Sequence, residues 1–365
     1  MASMVNHIPK TDMVDTAFWS GRRVLLTGHT GFKGAWLAHW LAGMGAVVHG
    51  LALAPTTQPN LFDLLKIKDK IHSHIGDIRD FHAVAAAVDA CQPEFVFHLA
   101  AQALVRASYR EPLTTFASNI MGTANILEAI RGRSDVKIAL IVTTDKVYRN
   151  LEQMAPYPET AELGGHDPYS ASKAAAELVL ASYRASFLTG QGTAVLAARA
   201  GNVIGGGDWS EDRLLPDAVR AWHSGQTLQI RRPDSVRPWQ HVLEPLSAYL
   251  CLAQYAYANP QASQASQAWN IGPDDAASVR TVVELAQAAY GRGLTEFATA
   301  ITGPHEAGLL ALDVSKLKQT LGITPRWNLG QAVSRSMHWY RDFALGQQAE
   351  ILCDRDIASF TTGNA

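Results

Sequence analysis

The run Arg23-Val24-Leu25-Leu26-Thr27 is short and β-rich, and Gly28, Gly31 and Gly34 follow it at once. An apolar helix-like segment, Ala35 to Met44, then leads to a second strand-like run, Val47 to Leu53. Together they read as a βαβ unit, and the unit constrains the whole chain, because two parallel strands must be joined by a crossover.

The alternation continues downstream. Ile71 to Ile75 reads as a strand, Phe81 to Ala90 as a helix and Glu94 to Leu99 as a buried strand. Thr115 to Arg131 reads as a helix and Lys137 to Thr143 as another strand. Strands alternating with helices predict an α/β fold with a Rossmann-type, doubly wound parallel sheet. From about Asp208 the texture changes: Pro216, Pro233, Pro238 and Pro245 punctuate short segments that carry Trp209, Trp222 and Trp239. This predicts a smaller, mixed α/β C-terminal substrate domain. Residues 18–200 form the first domain and 201–356 mainly the second, with some segments returning to the first. The Gln/Ala/Ser-rich stretch Asn259 to Ala268 reads as a surface loop.

Composition narrows the function classes. A chain of 365 residues with 47% apolar and 18% charged residues is an ordinary soluble globular protein of one large or two unequal domains. A formal charge of −2 without a basic tail gives no case for nucleic-acid binding, and Arg231-Arg232 reads as a local anion contact or solvated surface. Cys91, Cys251 and Cys353 show no metal spacing, and an odd count argues against a disulfide framework, so reduced thiols and no metal site are expected. Met1 to Trp19 carries Asp12 and Asp15 and lacks an apolar core, unlike a signal peptide. Trp36 to Ala54 is broken by His39, Gly43, Gly45, His49 and Gly50, and reads as helix then strand, not a membrane span. A cytoplasmic protein with no membrane partner is expected.

Three motifs carry chemistry. Thr27-Gly28-His29-Thr30-Gly31-Phe32-Lys33-Gly34 has glycines at Gly-x-x-Gly-x-x-Gly spacing between a strand and a helix. Glycines let the backbone approach a pyrophosphate, and the helix N-terminus favours its charge. The second strand ends at Leu51-Ala52-Leu53-Ala54, with no acid for a ribose diol and no Arg for a 2′-phosphate; NAD is the preferred dinucleotide. Asp77 either accepts from the adenine amine or caps the next helix. In Tyr169-Ser170-Ala171-Ser172-Lys173 the i, i+4 spacing sets tyrosine and lysine on one helical face. A cationic Lys173 is expected to lower the phenol pKa, so that Tyr169 takes a hydroxyl proton while hydride leaves to the cofactor. Thr144-Asp145-Lys146 follows a strand at the carboxyl end of the sheet, where open α/β folds bind ligands. It adds an acid and a base to what alcohol oxidation needs; the bland alternative is a surface ion pair.

With these residues in place, the chain resembles the extended short-chain dehydrogenase/reductase superfamily, and within it the CDP-glucose branch of the nucleotide-sugar 4,6-dehydratases, from about Phe18 to Asp356. The stretches that carry the resemblance are the glycine loop, His98-Leu99-Ala100-Ala101-Gln102, Asp167-Pro168-Tyr169-Ser170, Arg199 to Trp209 and Arg237 to Leu246. Related dTDP- and UDP-sugar enzymes carry Asp-Glu where this chain has Asp145-Lys146. The family's usual Thr-Ser-Asp-Lys-Cys-Tyr is here Thr143-Thr144-Asp145-Lys146-Val147-Tyr148, and Thr144 keeps the hydroxyl.

The resemblance implies an NAD-dependent internal redox elimination on CDP-glucose, in deoxysugar and O-antigen-type lipopolysaccharide biosynthesis. A 4-epimerase, or a dehydratase of another nucleotide hexose, is the alternative. Tyr169, helped by Thr144, removes the 4-hydroxyl proton; Lys146 takes the C5 proton and Asp145 protonates the departing 6-hydroxyl, although the reverse division of the pair stays open. Gly28, Thr30, Gly31, Phe32, Lys33, Gly34, Asp77, Ile78, Leu99, Ala100, Ala101, Gln102, Asn119, Thr143, Tyr169 and Lys173 are expected at the cofactor. Asn202, Arg213, Arg237, Trp239, His241, Asn270 and His305 are expected at the nucleotide sugar. A homodimer or homotetramer is implied, paired through two helices per subunit, Thr115 to Arg131 and Tyr169 to Phe187.

Overall fold

The computed structural model describes residues 13–153, 155–265, 267–299 and 308–363. Its centre is a seven-stranded, all-parallel sheet: β1 (Arg23–Thr27), β2 (Val47–Ala52), β3 (His72–Ile75), β4 (Phe95–His98), β5 (Ile138–Val142), β6 (Ala194–Ala200) and β7 (Ala268–Ile271). The spatial order is β7-β6-β5-β4-β1-β2-β3. It reverses between β1 and β4, whose residues Thr27 and His98 lie side by side in register. Loops leave the two strands in opposite directions there and open a crevice at their carboxyl ends. The doubly wound expectation holds.

Strand residues alternate between two cores. Val24, Leu26, Phe95, Phe97, Leu140 and Leu196 point to one face, with α1 (Phe32–Gly43) packed against it. Leu25, Val96, Ala139, Ile141 and Val195 point to the other. That face is covered by α2 (Phe81–Cys91), α3 (Gly122–Ile130) and α4 (Pro168–Tyr183). The segment read as one helix over Thr115 to Arg131 comprises Pro112–Phe116, a wide turn Ala117–Met121 and α3.

The C-terminal half contributes to both lobes. Leu215, Trp222, Trp239, Val283, Tyr290 and Met337 form a separate core beside the sheet. α5 (Leu243–Ala258) is buried on nearly every side and joins the main core, as a helix apolar all round must. The stretch Asn259 to Ala268 is not a surface loop. Pro260–Ala265 is helical, and Ala268 begins β7, which pairs with β6 from Ala197 to Ala200. Ala and Gln favour a helix without any apolar stripe, and Trp269 and Ile271 supply the burial that follows. Cys91, Cys251 and Cys353 are buried free thiols. Among the described residues no helix is long and apolar enough to cross a membrane, and no side-chain cluster could hold a metal.

Glu244 ties α5 to the C-terminal segment: its Oε1 accepts from the backbone N–H groups of Arg326 (2.9 Å) and Trp327 (2.8 Å). Burial pushes its carboxyl up to about 7. A pKa raised by folding gives stability that is complete below the unfolded value, about 4.5, and is lost as pH rises through 7. The loss is roughly 3 kcal/mol at one pKa unit per ~1.4 kcal/mol. Glu244→Gln keeps the oxygen that accepts both bonds and cannot ionise. Its melting temperature relative to wild type should therefore climb by a few degrees between pH 5 and pH 8; parallel curves in a calorimetric pH series would refute this.

Candidate active site

The crevice is a cleft of about 1570 Å³. Its floor begins at Gly28, whose φ of +81° turns the chain out of β1, with Gly28 N–H donating to Leu51 O at 2.9 Å. A Cβ on Gly34 would lie 1.9 Å from the Gly28 carbonyl oxygen, and a Cβ on Gly28 2.8 Å from the Ala100 nitrogen. Only hydrogen fits at either place. Gly31 caps α1 without a side chain, so the first-turn amides stay open toward the cleft. A backbone cradle of this shape fits a dinucleotide diphosphate. Thr30 Oγ1 donates to Leu53 O at 2.8 Å and pins the loop.

Gly28, Thr30, Gly31, Phe32, Lys33, Gly34, Asp77, Ile78, Leu99, Ala100, Ala101, Gln102 and Thr143 all line the cleft. Asp77 is held by Arg79, whose Nε donates at 2.8 Å and whose backbone N–H donates at 2.9 Å. The Arg79 hydrogen bond holds its carboxyl below the usual range. Asn119 does not reach the wall: it is buried in the wide turn, accepting from Gln102 N–H at 2.9 Å and donating to Ser172 Oγ at 2.8 Å. Its place is under the Gln102 loop rather than against a ligand.

The second wall is the single 3₁₀ turn Asp145–Val147, entered from β5. Thr144 Oγ1 donates to Asp145 Oδ1 at 2.9 Å. Lys146 Nζ donates to the same oxygen at 2.9 Å and to Asn202 Oδ1 at 3.3 Å. Thr144 and Lys146 line the cleft, whereas Asp145 is 0% exposed and does not. Asp145 Oδ2 has no hydrogen-bond partner among the described residues.

Tyr169 faces this turn from the first turn of α4, which Asp167 caps by accepting from Ser170 N–H at 3.0 Å. The Tyr169 phenol is hydrogen-bonded with Thr144. Burial raises its pKa above the ordinary value, against the Thr144 bond and the charge of Arg213. Lys173, one helical turn further along α4, is buried and donates to Val142 O at 3.0 Å. Burial pulls the Lys173 ammonium down to about 8, with Glu177 pulling the other way. Lys33 is pushed down to about 7 by burial and by the charges of Lys173 and Arg213.

Of the residues expected at the nucleotide sugar, Asn202, Arg213, Arg237 and Trp239 line the cleft. His241 and Asn270 do not, and both expectations are corrected. His241 is fully buried beside the rings of Trp36 and Trp327 at 6.2 and 4.7 Å, and burial pulls its imidazole down to about 3. Asn270 is fully buried in β7, accepting from the Tyr148 hydroxyl at 2.6 Å and donating to the carbonyls of Tyr157 and Asp313. His305 lies outside the described residues. Arg106, Arg231 and Arg232 also line the cleft, and their sequence context carried no sharper signal than local basicity.

A family model described as GDP-mannose 4,6 dehydratase matches residues 25–336. The chain is 43% identical to a CDP-glucose 4,6-dehydratase of Salmonella typhimurium, over 95% of this chain and 98% of that one. Among solved structures, a UDP-glucose-4-epimerase from Stenotrophomonas maltophila with bound NAD superposes with a TM-score of 0.78 at 23% identity, covering 89% of this chain and all of that one (100%). A dTDP-glucose 4,6-dehydratase from Bacillus anthracis in complex with NAD superposes with a TM-score of 0.74 at 22% identity, covering 88% and 97%. These two establish the fold. The family model and the Salmonella relative, with their near-complete coverage, show that the chain belongs to the GDP-mannose 4,6 dehydratase family of nucleotide-sugar enzymes.

Proposed function

We propose that this chain is an NAD-dependent 4,6-dehydratase of CDP-glucose, making CDP-4-keto-6-deoxyglucose for deoxysugar biosynthesis. The observation that carries the reading is the Thr144-Asp145-Lys146 turn facing Tyr169 across the cleft, in a chain 43% identical to a CDP-glucose 4,6-dehydratase. A 4-epimerase has no use for an acid and a base beyond tyrosine and lysine.

The glycine cradle and the α1 N-terminus would hold the cofactor, with Asp77 and Ile78 at its adenine end. The chemistry that NAD would supply there when bound is hydride acceptance from C4 of the sugar and its return to C6. The chain's own groups move the protons. Tyr169 Oη takes the 4-hydroxyl proton. Thr144 Oγ1 stands between that phenol and Asp145 Oδ1, so the proton can pass along the bonds to Asp145. Lys146 Nζ, the member of the pair that reaches the cleft, removes the C5 proton and later returns it. Asp145 passes its proton across the 2.9 Å bond to Lys146 Nζ, which hands one on to the departing 6-hydroxyl, and the hydroxyl leaves as water. The 4-hydroxyl proton thereby ends on the released water, and the proton count closes. Arg213 and Arg237 would neutralise the sugar's diphosphate, for which a guanidinium fork is suited.

We further propose a homodimer. Leu113, Met121, Leu178 and Phe187 are exposed at 82%, 55%, 63% and 45% on the adjoining segments that contain α3 and α4. Large apolar side chains gathered on two neighbouring helices suit the same face of a second copy.

Incubated with CDP-glucose, the purified protein should give a product one water lighter with a 4-keto group; unchanged mass with inversion at C4 would establish the epimerase instead. The same assay with dTDP-, UDP- and GDP-glucose tests the base.

Lys146→Ala should lower kcat about 10²- to 10⁴-fold, and normal water release by that protein would remove Lys146 from its role. Thr144→Val, which cannot relay a proton, should be slowed far more than Thr144→Ser.

Leu178→Glu should convert the dimer to monomer in sedimentation runs, and an unchanged sedimentation coefficient would move the interface elsewhere.

A further inference from the structure

We propose that the buried ion pair Glu177–Arg199 is a positioning device that grips the catalytic turn at both ends, at Thr143 and Tyr148, and so sets where Thr144 and Lys146 face the substrate. The inference deepens the dehydratase reading and rests on it for its kinetic part.

The pair joins two elements far apart in the chain. Glu177 lies on α4, one turn beyond Lys173 and two beyond Tyr169, on the same helical face. Arg199 lies near the end of β6. Their side chains are each 5% exposed and make a forked contact, with Arg199 Nε at 2.9 Å from Glu177 Oε1 and its Nη2 on Oε2. Two charges taken out of water are tolerable only when their remaining lone pairs and protons are also satisfied. Here the satisfying partners flank the turn. Thr143 Oγ1 donates to Glu177 Oε1 at 2.7 Å, immediately before the turn. Arg199 Nη1 donates to the Tyr148 hydroxyl at 2.8 Å, immediately after it. The guanidinium also lies 4.9 Å from the centre of the Tyr148 ring.

The grip continues into the sheet. The Tyr148 hydroxyl donates to Asn270 Oδ1 at 2.6 Å on β7, and Arg199 Nη1 also donates to Glu159 O at 2.9 Å. The Glu159 carboxylate accepts from Asn270 N–H at 2.9 Å, which closes the network. The four-residue segment Thr144 to Val147 is therefore flanked by two anchors that share one ion pair, with Val147 O also accepting from Gly164 N–H at 2.8 Å. A catalytic group displaced by about 1 Å can lose two orders of magnitude in rate, so such anchoring matters for turnover.

Glu177 has a second effect through its charge. It is the group that opposes burial at Lys173, which faces Tyr169 and Glu177 on its own helix, Lys33 from α1 and His98 from β4. Removing the Glu177 charge makes the Lys173 ammonium lose its proton at lower pH.

Two variants separate the effects. Tyr148→Phe leaves the ion pair whole and cuts the downstream link. It should lower kcat for CDP-glucose about tenfold or more with KM changed less than about threefold. Amide hydrogen exchange should quicken within 143–148 and nowhere else, and the pH profile should not move. Glu177→Gln should show the same local exchange, and the alkaline limb of its kcat–pH profile should shift about one unit lower. If Glu177→Gln fails to fold, Tyr148→Phe decides by itself. A Tyr148→Phe protein with kcat within about twofold of wild type and unchanged exchange at 143–148 overturns the proposal. So does exchange quickened throughout the chain, the mark of a merely structural role. Should wild type fail to dehydrate CDP-glucose, the reading of function falls, while the exchange comparison still decides the grip.

Discussion

The tightest approach at any of the described glycines is backbone against backbone: the Gly28 carbonyl oxygen sits where a side chain on Gly34 would have to begin, 1.9 Å from the ideal Cβ. That approach lets α1 start directly over the end of β1, with its open amides aimed into the crevice. Everything else in the site is arranged around this point. The strand order reverses beside it, the loops after β4 and β5 line the crevice, and α4 presents Tyr169 across from it. The glycines are thus a geometric requirement of the cleft and not of the strand–helix joint alone.

Charge is the second organising principle. Lys33 stands close enough to Lys173 and Arg213 that their charges add to burial in disfavouring its protonation, and it is driven down to about 7. Low-dielectric surroundings amplify such repulsion. The arrangement is tolerable where anions are to be bound, and a dinucleotide and a nucleotide diphosphate each bring a pair of charged phosphates. Asp145 and Glu177 are the built-in counterweights, one bonded to Lys146 and one to Arg199.

What the sequence made legible follows from how local each signal is. The glycine triplet, Tyr169 with Lys173, and Asp145 with Lys146 are each defined within a few residues, and the fold carries them to one cleft, although Asp145 and Lys173 stand just behind its wall. His241 and Asn270 could not be placed that way, because one residue's register on a strand decides between core and wall. His241 turns toward Trp36 and Trp327, and Asn270 toward the Tyr148 hydroxyl. Glu177 was within reach, since its i+4 spacing from Lys173 puts both on one helical face. Its partner Arg199 was not, because the contact spans 22 residues and depends on β6 lying beside β5. The helix at Pro260–Ala265 was missed for a different reason: Gln and Ala stabilise a helix by propensity while leaving no apolar periodicity to read.

Asp145 is the residue that argues most strongly for chemistry over stability. It is a carboxylate with no exposed surface, and one of its two oxygens has no partner among the described residues. Burying a charge so incompletely satisfied costs stability, and an apolar residue of similar size would not incur that cost. The bonds it does make lead outward, through Thr144 to Tyr169 and through Lys146 to the cleft. A group held at a loss, and connected to both points where a sugar must give up and receive protons, is placed for proton traffic. Its isolation from solvent is then an advantage, since a proton stored there can leave only along the two paths the reaction uses.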